Sequence, residues 1–199
     1  MLQNRVDPLG NLIKTSARGA WMGNRGILHD DHQQIRRAFV LKAWITCVLE
    51  FRGRKRQVMS PHRYTELFFL DEATSFSAGH RPCFECRRLD AERFKAAWIQ
   101  GNPAYRFDKQ TSIRLLDEVL HKERIGRSVA SVRIKDLPDG SFVLYDEKPF
   151  LVSGGLAYIW SPFGYGQGIE LPGAVGLLTP GSIVNAFRAG YVPQMRINQ

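Results

Sequence analysis

Cysteine is scarce in this sequence, and long apolar runs are missing altogether. The chain has three cysteines in 199 residues, an odd number that disfavours a disulfide framework and favours metal binding or thiol chemistry. No segment approaches the roughly 18 uninterrupted apolar residues that a membrane-spanning helix needs. The first ten residues, MLQNRVDPLG, contain no apolar h-region, so we expect no export signal there. These absences predict a cytoplasmic protein without a membrane partner.

The charge of the sequence is strongly asymmetric. Residues 1–135 contain 25 Lys or Arg and 14 Asp or Glu, a net charge of +11. Residues 136–199 contain 3 and 5 of these, a net charge of −2. A cationic surface in the first two thirds of a chain is typical of proteins that bind nucleic acid, although a basic face can also serve solubility alone.

Two of the three cysteines form a Cys-x-x-Cys turn, Cys83 and Cys86, in front of a predicted helix. The turn follows an apolar strand, Leu67 to Leu70, and a short predicted helix from Asp71 to about Ala78. Such a turn can place two thiolates on one tetrahedral ion, for which zinc is the common choice. The third cysteine, Cys47, lies in an apolar strand, where a lone cysteine is more often a buried small hydrophobe than a ligand.

This stretch resembles the metal-binding module of Ada-type proteins, which repair alkylated DNA in the adaptive response. The resemblance rests on Phe68-Phe69, Glu72-Ala73 and the run Ala78 to Arg87, AGHRPCFECR. It covers about a tenth of the chain closely, and roughly residues 45–88 when Cys47 is included. It implies a zinc ion bound by Cys47, Cys83 and Cys86, and DNA as the partner.

The sequence departs from that family at one important position. The family supplies two more ligands as Cys-x-x-x-Cys, one of which accepts a methyl group from a DNA phosphotriester. Here Phe51 stands four positions after Cys47, so at most three thiolates are available. We therefore expect His62 or His80 to supply a fourth ligand. The chain as a whole also resembles an uncharacterised bacterial protein family, which implies no function.

Arginines cluster around the cysteines and are candidates for phosphate contact. One group surrounds Gly53, at the tip of a predicted hairpin with arms near Trp44–Phe51 and 56–59. Another lies at the start of the helix after Cys86, where free N–H groups and the helix dipole favour an anion. The predicted nucleic-acid-binding residues are Arg52, Arg54, Lys55, Arg81, Arg87, Arg88 and Arg93. The alternatives are a solvated hairpin tip, and cations that balance the thiolates.

Candidate catalytic residues lie on a predicted helix from Lys109 to Glu123. Asp117 and His121 are four residues apart and therefore neighbours, with Glu118 beside them. Two carboxylates and a histidine could bind a metal ion for hydrolysis, or act as a general base with its orienting group. A solvated polar face is the alternative.

The pattern of elements predicts an α+β protein with two lobes. A basic, zinc-stapled hairpin and helix lobe spans residues 1–135, and a small mostly-β meander lobe that ends in a helix spans residues 136–199. We also predict a short helix from Asp30 or Asp31 to Arg37, and an aromatic loop over Gly164 to Gly168.

The function predicted from these observations is that of a zinc-stabilised protein that binds nucleic acid, DNA rather than RNA, in DNA repair or regulation. One alternative is a metal-dependent nuclease or hydrolase that uses Asp117, Glu118 and His121. Another is a methyl-accepting DNA repair enzyme with Cys47 as its nucleophile. A thiol oxidoreductase and an interaction module without catalysis are further alternatives.

Overall fold

A computed structural model describes residues 1–54, 57–126 and 129–197. Within these ranges the chain forms two six-stranded sheets and four α-helices, which confirms the predicted α+β class with a C-terminal helix. The first sheet contains β1 (Arg5–Val6), β2 (Leu12–Ile13), β3 (Trp21–Asn24), β4 (Ile45–Cys47), β5 (Leu67–Phe69) and β6 (Arg81–Pro82). The second sheet contains β7 (Ser131–Val132), β8 (Phe142–Tyr145), β9 (Lys148–Ser153), β10 (Leu156–Ser161), β11 (Gly164–Ile169) and β12 (Val175–Leu177). The helices are α1 (Glu72–Ser77), α2 (Arg88–Gly101), α3 (Ile113–Ile125) and α4 (Gly181–Arg188).

The first sheet has the strand order β2-β1-β5-β3-β4-β6. Strand β3 pairs antiparallel with β4 and β5, and β4 pairs in parallel with β6. The predicted hairpin is therefore corrected: β4 pairs with strands distant in sequence, and residues 57–59 form no strand.

The helix predicted from Asp30 or Asp31 to Arg37 is also wrong. The Asp30 carboxylate accepts hydrogen bonds from the backbone amides of His32 and Gln34, which closes a turn instead.

The second sheet has the order β11-β10-β9-β8-β12-β7 and is antiparallel throughout. Strands β8, β9 and β10 form the predicted meander. The predicted glycine-rich loop is wrong, because residues 164–169 form β11 and extend the meander by one strand. Gly168 lies against the ring of Tyr158, where a Cβ atom would approach within 2.8 Å. Glycine therefore lets this strand pair close to an aromatic side chain.

Helix α2, in the middle of the chain, and helix α4, near its end, share one hydrophobic core. Helix α2 buries Phe94 and Trp98, and α4 packs against it through Ile183 and Phe187. The division into lobes at residue 136 stays a prediction. Within the described ranges, no helix has both the length and the apolar composition needed to cross a bilayer.

The C-terminal segment is bonded to the start of α1. The side chain of Asp71 caps this helix by accepting a hydrogen bond from the Thr74 amide at 2.8 Å. The second oxygen of Asp71 accepts hydrogen bonds from the Arg196 amide and the Tyr165 hydroxyl. The Gln194 amide donates to Glu72 at 2.9 Å. The bonds from Tyr165, Gln194 and Arg196 join residues that are more than 90 positions apart in the sequence.

Candidate metal centre

Strand pairing brings the three cysteines together. Cys47 ends β4, and Cys83 directly follows β6. These strands run parallel with Thr46 opposite Pro82, and the Cys83 amide donates a hydrogen bond to the Thr46 carbonyl at 3.0 Å. The two cysteines therefore lie side by side at the same end of the sheet. Cys86 follows within the turn that precedes α2.

The Sγ atoms of Cys47, Cys83 and Cys86 all lie within 4.8 Å of one another. Cys47 and Cys83 are buried, Cys86 is half-buried, and none of the three forms a disulfide. A tetrahedral zinc ion bound at about 2.3 Å would hold its sulfur ligands about 3.8 Å apart. The observed spacing is therefore compatible with a shared ion, and the residues present fit a thiolate metal centre.

The protein stabilises a thiolate at Cys83. The pKa of Cys83 is lowered to about 5, chiefly because the Cys47 thiol donates a hydrogen bond to its sulfur. The amides of Cys86 and Glu85 also donate to this sulfur, the latter at 3.4 Å, whereas partial burial opposes the shift. The same thiol contact, together with burial, raises the pKa of Cys47, and burial raises that of Cys86. A metal ion would displace the protons of these two thiols on binding.

Neither His62 nor His80, the two predicted fourth ligands, lies with the three cysteines in the cluster of possible ligand atoms. His80 is fully buried beneath the first sheet, with its ring against Phe69 and Trp44 and its Nε2 atom 3.3 Å from Arg25 Nε. Burial, followed by the charge of Arg25, lowers the pKa of His80, so the ring is neutral. His62 lies exposed in a turn with a φ of 60°. Within the described residues, the chain therefore gathers three metal-binding side chains here and no fourth.

All three cysteines line a cavity of about 560 Å³. The apolar residues that line it are Met22, Ile45, Val48, Leu49, Phe51, Val58 and Phe68. Two polar residues of the wall, Tyr64 and Glu66, were missed by sequence reasoning. Both precede β5, and nothing in their spacing relates them to the cysteines. A metal ion held by the thiolates would lie at the edge of this cavity.

Two of the predicted phosphate-binding arginines have other roles. Two of the three guanidinium nitrogens of Arg81, Nε and Nη2, donate to the two oxygens of Asp117 at 2.7 Å, and the two side chains are 6% and 5% exposed. Arg87 is buried against Glu72 and lies over the ring of Trp21, 4.0 Å from its centroid. These pairs correct the prediction, because a buried, neutralised guanidinium does not reach a phosphate.

The other predicted cations lie at the surface. Arg52, Arg54, Arg88 and Arg93 are exposed. Arg54 pairs with Glu85 at 2.6 Å, Arg88 with Glu92 and Arg93 with Asp90. Exposed ion pairs of this kind are weak and exchange readily with solvent or another anion. Lys55 lies outside the described residues.

The predicted catalytic residues do not converge on a site. Asp117 is buried in its pair with Arg81, Glu118 accepts from Lys42 Nζ at 2.7 Å, and His121 Nδ1 lies 3.0 Å from Arg124 Nη2. The three side chains form no group of mutually close ligand atoms among the described residues. The hydrolase alternative stays a prediction, and these separate pairings do not support it. The alternative of a solvated face is wrong for Asp117, which is 4% exposed.

Comparison with protein-family models found no match, and comparisons with curated proteins and with solved structures found none either. The resemblance of residues 45–88 to the Ada-type module therefore stays a prediction from the sequence. The methyl-accepting role of Cys47 is likewise untested.

Proposed function

We propose that this protein binds a zinc ion through Cys47, Cys83 and Cys86 and uses its exposed cations to bind nucleic acid, DNA rather than RNA. One observation carries the metal part of the proposal: three thiol sulfurs from two distant segments lie within 4.8 Å of one another. Soft thiolate ligands favour zinc over hard cations such as magnesium. An Ada-type role in DNA repair or regulation is the finer form of the proposal.

Metal analysis of the purified protein tests the first part. We expect about one zinc per chain, and a lower melting temperature after chelation, because binding to a structural site contributes to folding. Replacing Cys47, Cys83 or Cys86 by serine should lower the zinc content in each case. Thr46→Ser, a buried neighbour with no thiol, is the matched control and should keep its zinc. Metal-free protein that melts at the same temperature with and without chelator would rule out the site.

The nucleic-acid part is supported by the placement of the exposed arginines. Arg52 lies beside Phe51 and Gly53, which line the metal-site cavity, and Arg88 follows the cysteine turn directly. The charge of residues 1–135 is +11. We therefore assign phosphate contact to the exposed side chains of Arg52 and Arg88.

Salt dependence of binding to duplex DNA tests this second part. Each phosphate that a cation neutralises adds a slope of about −0.9 to the dependence of log K on log salt. The variant Arg52→Gln with Arg88→Gln should flatten the slope by about one to two units. The control Lys148→Gln with Arg188→Gln removes the same charge from exposed positions in the last third of the chain. If both variants weaken binding equally, or if binding is insensitive to salt, the assigned surface is wrong.

A further inference from the structure

The cysteine cluster supplies fewer ligands than a zinc ion takes. A zinc ion takes four ligands, and the described residues supply three at this site. Each of those three cysteines also lines the 560 Å³ cavity. The cavity is therefore a space from which a fourth ligand could approach the ion.

We propose that the cavity binds an uncharged nitrogen heteroaromatic molecule, whose ring nitrogen completes the coordination of the metal ion. This inference rests on the proposed zinc site. It assigns a small-molecule site to the protein whose lining does not include Arg52 or Arg88, the two arginines tested above for phosphate contact. The ligand class follows from the size, the apolar wall and the charge of the cavity.

The volume and the walls favour a flat apolar ligand. A cavity of about 560 Å³ lies within the range of roughly 300–1,000 Å³ that is common for small-molecule sites. The rings of Phe51 and Phe68 and the side chains of Met22 and Val58 line it. Aromatic and thioether groups pack well against a ring.

The charge of the cavity favours a ligand without negative charge. Among the described lining residues there are three carboxylates, Glu50, Glu66 and Glu85, and one cation, Arg54. Arg54 is already paired with Glu85 at 2.6 Å, and Glu66 is 4% exposed. A zinc ion with three thiolates carries a net charge of −1. A carboxylate, phosphate or exogenous thiolate would add charge to a negative site, whereas a neutral ring nitrogen would not.

Cobalt substitution tests the proposal on the full chain. Co²⁺ replaces Zn²⁺ and gives visible absorption bands that depend on the ligands of the ion. We would titrate Co²⁺-loaded protein with 4-phenylimidazole and, in parallel, with benzoate as an aromatic anion. We expect a saturable change of the cobalt bands with 4-phenylimidazole at concentrations at which benzoate has no effect.

Two cavity-filling variants localise the effect. Val58→Trp and Leu49→Trp place a large ring in the cavity, and Leu49 starts from a half-exposed position that should tolerate it. Each should keep the cobalt bands and weaken the response to 4-phenylimidazole by about tenfold or more, since overpacking a site has a cost of this order. Gln57→Trp, an exposed neighbour that does not line the cavity, should respond like the unaltered protein.

The possible outcomes separate this inference from the proposed function. Failure to bind Co²⁺ or Zn²⁺ would overturn both. Cobalt bands that form but do not respond to 4-phenylimidazole would overturn the open ligand position and leave the metal site intact. An equal response to benzoate would overturn the assignment of ligand charge. An undiminished response in both cavity-filling variants would place the ligand outside the cavity.

Discussion

Arg81 and Asp117 form a buried ion pair, although charged residues of this kind are usually expected at the surface. Each belongs to a charged stretch that sequence patterns assign to a solvent-facing surface. The structure instead joins their side chains by two hydrogen bonds of 2.7 Å, and both are nearly inaccessible to water. A buried pair of this kind often stabilises the fold no more than two apolar side chains of the same size would. Removing only one partner, however, leaves a buried charge without a counter-charge, which is strongly destabilising.

We predict that Asp117→Ala lowers the free energy of unfolding by about 3–5 kcal/mol, because Arg81 then stays buried without its counter-charge. Urea unfolding monitored by circular dichroism measures the change. The control is Glu118→Ala, which removes the adjacent carboxylate from an exposed pair with Lys42 and should leave stability nearly unchanged. Equal effects of the two substitutions would show that the Arg81 pair is not buried in solution.

Some individual site residues were predictable and others were not. The Cys83-x-x-Cys86 turn is a local pattern, and the resemblance added Cys47 to it. The burial of Arg81 and Arg87 was not predictable, because their partners Asp117 and Glu72 lie 36 and 15 positions away. Sequence spacing carries no information about such contacts. For the same reason, the sequence could not predict that Glu66 lines the same cavity as the three cysteines.

At the scale of elements, the contact between α2 and α4 depends on Gly101. A Cβ atom at this position would lie 2.2 Å from the carbonyl oxygen of Asn185 in α4. No side-chain rotation can relieve that overlap, because both atoms belong to the backbone or are fixed to it. The glycine therefore sets how closely the two helices approach.

We predict that Gly101→Ala lowers the free energy of unfolding by about 1–3 kcal/mol, although alanine itself favours the helix, because α4 must move away. Thermal or urea unfolding would measure it. Gly181→Ala serves as control, because its Cβ would lie 3.7 Å from the nearest atom, an oxygen of the Glu123 carboxylate. This substitution should leave the free energy of unfolding unchanged or raise it slightly. A neutral Gly101→Ala would contradict the tight helix contact.

Elements with strong local signals were predictable, and those defined by distant partners were not. Helices α2 and α3 follow from apolar spacing, and the β8 to β10 meander follows from short strands with turn residues between them. The partners of β4 are β3 and β6, and no local feature of the sequence indicates this. The hairpin prediction was wrong because a strand and turn pattern in the sequence indicates pairing between neighbouring segments only, and β4 pairs with segments that are not its neighbours.

Across the whole molecule, the N-terminal and C-terminal regions complete one another's core. Phe76 and Leu120 from the first region pack in the same cluster as Ala186 and Tyr191 from the second. Ala73 of α1 belongs to another cluster, with residues of β8 and β9. Separation at residue 136 would expose apolar surface on both sides.

We predict that a fragment of residues 1–135 does not unfold cooperatively, whereas the full chain unfolds in a single transition. The reason is that the fragment lacks α4 and the C-terminal segment, which cover its core and bond to Asp71 and Glu72. Calorimetry of both proteins would test this. A fragment with its own sharp transition would support two independently folding lobes instead.

The parallel pairing of β4 and β6 has a consequence for how the site can change during evolution. Register, and not the number of intervening residues, sets Cys47 beside Cys83. Insertions in the exposed turn at residues 61–63 would lengthen the interval between the two cysteines without moving either sulfur. A single residue inserted into β4 before Cys47 would turn its thiol to the opposite face of the sheet. Descendants of a common ancestor could therefore keep the same three-sulfur site while differing widely in the spacing of their cysteines.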